Sequence, residues 1–499
     1  MLFGMLLAHV LSVLAALSPV PPPDQVHLPL SVDLPCLGTL RPKSTREIAK
    51  PSWTLGCETL DRDFASFDAY KAYLPPLGIK RIRLQAGWAK CERTRGVFDF
   101  RWLDDIVDFA RTNGIEVLMD LSYGNPAYPG GGGWDLAAGI PSSEEGLAAW
   151  DRWTAEIARH FGGRVAWWAM WNEPDIGEGN TPERVAAFNV RTAKVLRGVL
   201  PRCRIAGLSL AHNTPDWLED CLKPMGADAK LFDAFIYHGY QLAPEASYER
   251  VAKLREVLAK YAPHAFLWQC ENGAPSEMCG RFALAFTPWS EYTQAKWDLR
   301  RMLGDRGHDI ASSVFTICDF NHRGREVNRK GLLRANENHE VIAVKRAYYA
   351  VQNLVSVFDG TERRVTSKRV STTDTTLVLD EYETAAGLPL LAFWTFAEES
   401  EKDASSQNGG ETHRLLRPSD SFVTRPAVFR WKGPAFENPV WVDVLTGRVY
   451  EFPRRDMIVH SCGIDFVNVP VYDSPAFLTE RKALDVRSQG RVLACGVGM

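Results

Sequence analysis

From about residue 52 the chain alternates between short apolar runs and longer stretches with apolar residues at three- and four-residue intervals, the two periods that mark buried strands and amphipathic helices. Strands are predicted over 53–57, 79–84, 115–121, 166–171, 203–210, 232–237, 265–270 and 310–317. Each is followed by a predicted helix: 66–77, 100–111, one opening at a capping box Ser142-x-x-Glu145, one with Thr181 and Pro182 at its start, then 214–223, 247–261, 290–303 and 341–357. Leu103, Ile106, Val107 and Ala110 share one face of the second helix, and Trp150, Trp153 and Ile157 one face of the third. Eight strand-then-helix units in about 300 residues have the size and rhythm of a (β/α)8 barrel, a TIM barrel. An open doubly wound sheet usually has fewer units, and no GxGxxG turn follows the first strand.

The rhythm changes past residue 360. Short β-branched or aromatic runs at 375–379, 390–395, 427–431, 440–444, 448–452 and 466–471, separated by turns, predict a smaller antiparallel β-sandwich at the C-terminal end. The expected division is a catalytic barrel over 45–358 and a sandwich over 360–480. Alternating Val26, Leu28, Leu30, Val32 and Leu34 mark an extended segment that the sandwich could recruit.

Composition changes this picture little. A net charge of -3 carries no field for nucleic acid, and 45% hydrophobic content is ordinary. The apolar run in the first 18 residues, followed by Pro19–Pro23, resembles a signal peptide over 1–20 and predicts export, although it lacks an early Lys or Arg, and a cytoplasmic location stays open. No later stretch is long and apolar enough to predict a membrane span. Ten cysteines lack metal-ligand spacing; on export, Cys203–Cys221 and Cys270–Cys279 are candidate pairs, with buried free thiols the equal alternative. No metal or organic cofactor is implied, and the oligomeric state is unknown.

The chemistry lies at strand ends. Strand four closes with Trp171-Asn172-Glu173-Pro174, and strand seven runs into Glu271-Asn272-Gly273. In a closed barrel these tips share one mouth, where such folds place catalytic side chains. Two carboxyls there suit glycoside hydrolysis. A separation of about 5 Å allows one to attack, whereas about 6.5–9.5 Å leaves room for an attacking water. Glu271 is the candidate nucleophile and Glu173 the candidate acid/base, with Asn172 placed for a sugar 2-hydroxyl. Arg83 on strand two is a fixed cation for a neighbouring carboxylate. His238 and Tyr240 at the end of strand six can hold the nucleophile's oxygens. Asp120, Ser122, Tyr123 and Asn125 end strand three, and Trp88, Trp134 and Phe320 are candidate sugar-stacking platforms.

Arg83, Asn172-Glu173-Pro174, His238-x-Tyr240 and Glu271 together resemble the motifs of the clan A retaining glycoside hydrolases. The His-x-Tyr and trailing sandwich are most like the β-xylosidase and α-L-iduronidase family. The segment Trp88-x-x-x-Glu92-x-x-x-Gly96-Val97-Phe98-Asp99-Phe100 is similar to a motif of bacterial β-galactosidases in the same clan. The resemblance implies a retaining O-glycosyl hydrolase acting on a glycoside or oligosaccharide through a covalent glycosyl-enzyme. Gln85 stands where the xylosidase family tends to place His, which leaves the sugar open. A transglycosylase or endo-acting glycanase shares the same first step, and a non-catalytic carbohydrate-binding barrel is the alternative of another class.

Overall fold

The computed structural model describes residues 20, 30, 32–322, 326–399 and 413–488. The signal-peptide expectation and most of the 26–34 segment lie outside them. Among the described residues, no helix is long and apolar enough to cross a membrane.

Eight parallel strands form one sheet: β1 (Trp53–Gly56), β2 (Arg81–Gln85), β3 (Glu116–Leu121), β4 (Trp167–Met170), β5 (Arg204–Leu210), β6 (Ala234–Tyr237), β7 (Phe266–Gln269) and β8 (Ser312–Val314). They pair in chain order, β8 returns to β1 through Trp53↔Ser312, and a bridge between Trp268 and Ala311 closes the circle. The expected (β/α)8 barrel is therefore present. Side chains of alternate parity part company across it. Leu118, Trp167, Ala169, Ala206, Ala234, Ile236, Trp268 and Cys270 fill the lumen. The other parity, including Val117, Met119, Trp168, Met170, Ile205 and Phe235, packs outward on the helices.

Local chemistry explains where elements depart from the expected bounds. The first helix is broken into Phe67–Tyr70, Lys71–Tyr73 and Leu74–Leu77, because Pro75 and Pro76 each remove an amide donor. The helix Glu144–Phe161 starts one residue later than expected, with the Ser143 hydroxyl accepting from Gly146 N. The last helix begins only at Arg346, since Val341–Val344 pairs as a strand with Leu333–Ala335.

Among the described residues the C-terminal part holds two main antiparallel sheets, beside the short pair Ala397–Glu399 and His413–Leu415. The larger runs in the order Arg363–Arg364, Leu377–Glu383, Pro389–Thr395, Ala476–Glu480, Pro439–Asp443, Arg448–Glu451, Cys36–Leu40 and Val486–Arg487. The smaller contains Val370–Ser371, Arg425–Trp431, Gly463–Val471 and Met457–His460. The chain's N-terminal contribution to the larger sheet is Cys36–Leu40, while Leu30, Val32 and Leu34 pack against the sandwich core. The large sheet is buried on both faces. Leu391, Phe393, Trp441 and Leu478 face the small sheet, while Leu390, Ala392, Trp394, Val440 and Val442 join the core that continues into the barrel. Polar ties reinforce that seam. Trp394 Nε1 donates to Glu245 Oε1 at 2.7 Å, and Glu245 pairs with the buried Arg300 at 2.6 Å. All nine described cysteines are free thiols, so neither candidate disulfide is formed.

Replacing Trp394 with Ala removes both a fully buried indole and the donor to Glu245. It should cost about 3–5 kcal/mol, read as a lower denaturant midpoint. A loss below about 1 kcal/mol would show that the seam does not hold the two halves together.

Candidate active site

The C-terminal ends of the strands converge on Arg83. Its guanidinium is fully buried, and Nη1 donates to Glu271 Oε2 at 2.9 Å and Glu58 Oε1 at 3.2 Å. Nη2 donates to Asp120 Oδ2 and to Asn172 Oδ1, each at 2.6 Å. Arg83, paired with Leu118 across the β2–β3 ladder, has the parity that faces the lumen. Its partners come from the ends of β1, β3, β4 and β7. A buried charge of this kind requires such partners.

The two candidate carboxyls stand together. Within the group Glu173, His238 and Glu271, one ligand atom of each lies within 4.8 Å of the others. His238 Nδ1 is 2.8 Å from Glu173 Oε1 and 3.7 Å from Glu271 Oε2. The Tyr240 hydroxyl donates to Glu271 Oε1 at 3.1 Å, so both nucleophile-candidate oxygens are held. Asn172 Nδ2 donates to the Tyr123 hydroxyl at 2.8 Å, which fixes the amide's orientation. These three side chains have the spacing of a metal-ligand triad, but the fixed charge of Arg83 beside Glu271 opposes a cation there.

The backbone around strand four is unusual. Trp171 and Glu173 both adopt left-handed conformations, with φ of 58° and 54°. Non-glycine residues pay about 1–3 kcal/mol for such geometry. Hydrogen bonds from Trp171 N to Leu121 O (2.7 Å) and from Glu173 N to Ser209 O (2.9 Å) hold it, and Pro174 opens the following turn.

Electrostatics divide the pair. Burial is the largest influence on Glu173, and with the Glu271 charge it pushes the carboxyl above its ordinary range, against the pull of the His238 hydrogen bond. Burial would also raise Glu271. The charges of His238 and Arg83 and the hydrogen bonds from Arg83 and Tyr240 outweigh it and hold this carboxyl below its ordinary range. His238 is itself raised, because the two glutamates overcome the effect of burial. The arrangement thus favours one protonated and one ionised carboxyl, the division that acid-assisted displacement needs.

A cavity of about 480 Å³ opens over these groups. Of the candidate residues, Asn172, Glu173, Tyr240, Glu271 and Phe320 line it. Arg83 and His238 sit behind the carboxyls, both fully buried. Three candidates lie elsewhere. Trp88 is fully buried, stacks between Tyr128 and Trp153, and donates to Glu92 Oε2 at 2.6 Å. Asn125 donates to Glu92 O at 2.8 Å and accepts from Ala127 N at 2.9 Å, a turn-forming role. Trp134 is 44% exposed and does not line the cavity. The Trp88…Glu92…Gly96 segment is thereby explained. Glu92 is a buried clasp that accepts from Trp88, from Gly96 N at 2.6 Å and from the Tyr128 hydroxyl at 2.5 Å.

The cavity also contains residues that the strand-tip reading overlooked. Glu58, two positions beyond β1, was within reach of the same rule. Arg62 lies in the following loop, where its Nη1 donates to Asp135 at 2.8 Å, its Nη2 donates to Gln85, and its plane lies over Tyr123. Lys330 comes from the long loop after β8 and is buried with Nζ on Ala283 O at 2.7 Å; burial lowers its ammonium to about 8. Nothing in the local sequence of either cation distinguishes it from a surface residue.

The comparisons with known proteins match this architecture. A family model described as a family 42 glycoside hydrolase, β-galactosidase, matches residues 66–131, a segment that carries Arg83 and the Glu92 clasp but neither catalytic-candidate glutamate. No curated protein sequence matches the chain. A family 39 glycoside hydrolase from Bacteroides cellulosilyticus WH2 superposes with a TM-score of 0.61 at 16% identity, covering 87% of this chain and 81% of its own. A monomeric β-xylosidase from Caulobacter crescentus CB15 superposes with a TM-score of 0.54 at 14% identity, covering 88% and 97%. A family 30 subfamily 8 xylanase from Clostridium acetobutylicum gives 0.51 at 12% identity, covering 89% and 97%. Over most of its length the chain thus shares its fold with these solved glycoside hydrolases.

Removing the imidazole with His238→Ala should raise both carboxyls. Glu173 loses its hydrogen-bond partner, and Glu271 loses a neighbouring positive charge. In a ¹³C NMR titration of Glu-labelled protein, both should titrate at higher pH than in the wild type. Unmoved titrations would show that His238 is only a packing residue.

Proposed function

We propose that the protein is a retaining glycoside hydrolase that cleaves O-glycosidic bonds by double displacement. The observation that carries this reading is the pair Glu173 and Glu271, with carboxylate oxygens within 4.8 Å at the mouth of a (β/α)8 barrel. That separation suits direct attack, not the wider gap of about 6.5–9.5 Å that an intervening water needs. Glu271, ionised and held by Arg83 and Tyr240, attacks the anomeric carbon. Glu173, protonated and next to His238, delivers its proton to the leaving oxygen. Once the glycosyl-enzyme has formed, Glu271 is an ester and its charge no longer raises Glu173, which then accepts a proton from the incoming water. Asn172 is poised to bond the sugar 2-hydroxyl as charge develops on the ring. The substrate is a carbohydrate, and the similarity to a β-xylosidase and a xylanase makes xylosides the first sugars to test.

Aryl β-glycosides of xylose, glucose, galactose and arabinose provide the assay. Glu271→Ala should abolish turnover, and added azide should restore aryl release with a glycosyl azide of inverted configuration. Glu173→Ala should slow poor leaving groups by about 10²–10⁴-fold, spare activated ones in the first step, and be rescued by azide with retained configuration. Turnover by Glu271→Ala at wild-type rates would overturn the assignment.

A further inference from the structure

Four carboxyls crowd the floor of the site: Glu58, Asp120, Glu173 and Glu271. The cations nearest them are Arg83 and His238; Lys330 lines the same cavity on Ala283 O, and Arg62 is engaged by Asp61 and Asp135. Three of the four carboxyls, Glu58, Asp120 and Glu271, share the one guanidinium of Arg83, and burial makes a poorly compensated anion costly. Geometry shows which of the three is held least well. Asp120 has the short 2.6 Å bond to Nη2, and Glu271 has the 2.9 Å bond to Nη1 together with the Tyr240 hydroxyl. Glu58 has only the longest of the Arg83 bonds, at 3.2 Å, while its Oε2, like Asp120 Oδ1, is buried without a hydrogen-bond partner.

The chain makes room for this carboxyl. A β-carbon on Gly56 would lie 2.3 Å from Glu58 Oε2, so only glycine lets the carboxyl fold back against its own strand. A buried oxygen packed against its own strand, without a well-formed hydrogen bond, is a poor place for an anion and a tolerable one for a neutral acid.

We propose that Glu58 is the positioning residue of the nucleophile: it remains protonated through neutral pH, which leaves the Arg83 charge to Glu271, and it gives up that role when it ionises. The inference rests on the reading of Glu271 as nucleophile. Arg83 Nη1 is shared between the two glutamates, so an ionised Glu58 draws it away and sets a second anion beside Glu271. Facing Glu58 are Arg83 from β2, which also holds Asp120 from β3, His238 and Tyr240 beyond β6, Cys270 and Glu271 beyond β7, and Cys57 and Tyr70 from its own side of the barrel. Burial raises the Glu58 carboxyl, Arg83 opposes it and Glu271 adds to it, leaving it pushed up to about 8.

Dinitrophenyl glycosides isolate this group, because so good a leaving group does not need the Glu173 proton. For the wild type, kcat/KM on such a substrate should fall about tenfold as pH rises through Glu58 ionisation. Glu58→Gln, which keeps a neutral acceptor and cannot ionise, should flatten that alkaline limb, whereas Glu58→Ala should lower kcat/KM at every pH. Infrared difference spectra supply a second readout that needs no variant activity. Beside the band of Glu173, the wild type should show a second protonated-carboxyl stretch at neutral pH that disappears on alkalinisation, and Glu58→Gln should lack this second band alone. A wild type without the alkaline limb, a limb that persists in Glu58→Gln, or no such infrared band would overturn the proposal. If no aryl glycoside is cleaved, the nucleophile reading fails and takes the positioning role with it, while the infrared band separately decides whether Glu58 carries the proton.

Discussion

One guanidinium with two charge-bearing nitrogens, each divided between two acceptors, sets the terms for this site. Arg83 is fully buried, and its acceptors come from four separate strand ends. With His238 it keeps Glu271 ionised, and it could not stay buried without its acceptors. Breaking such a cluster from one side costs about 3–5 kcal/mol, so position and charge are selected together. The cluster also explains how two glutamates on one barrel mouth come to differ. Glu271 lies within reach of Arg83 and Tyr240, while Glu173 has only the imidazole of His238.

The rest of the fold makes that geometry rigid. Closure between β7, β8 and β1 brings Glu58 and Glu271 to the same cation although they are far apart in sequence. The left-handed residues on either side of Asn172 aim amide and carboxyl into the mouth, and neighbouring strand carbonyls hold the strained backbone. Outside the barrel, the large sheet is covered on both faces, so its burial ties the appended sandwich to the barrel. That packing lets long loops carry the cavity walls without loosening the floor.

Much of this was legible in the sequence because strand periodicity and barrel topology together dictate where a strand's last residues point. Arg83, Asn172, Glu173, His238, Tyr240 and Glu271 all stand within one connected network, as strand-tip residues should. Tryptophan was the weak guide. Trp88 and Trp134 have identical chemistry in sequence, yet one packs among other rings and the other is partly exposed without lining the cavity, a choice made by tertiary neighbours. Glu58 follows the strand-tip rule but sits outside the familiar motif. Arg62 and Lys330 reach the cavity through loops whose path depends on long-range contacts, Asp135 for the one and Ala283 for the other. Periodicity carries no information about such paths.

The proposed double displacement turns on a covalent bond between substrate and Glu271. The direct measurement is incubation with a 2-deoxy-2-fluoro glycoside bearing an activated leaving group, followed by intact-mass and peptide-level mass spectrometry. Double displacement through Glu271 requires a stoichiometric adduct, one fluoroglycosyl unit per chain, on the peptide containing Glu271. An adduct on Glu173, or burst-free turnover of the reagent with no adduct and an inverted product, would contradict it.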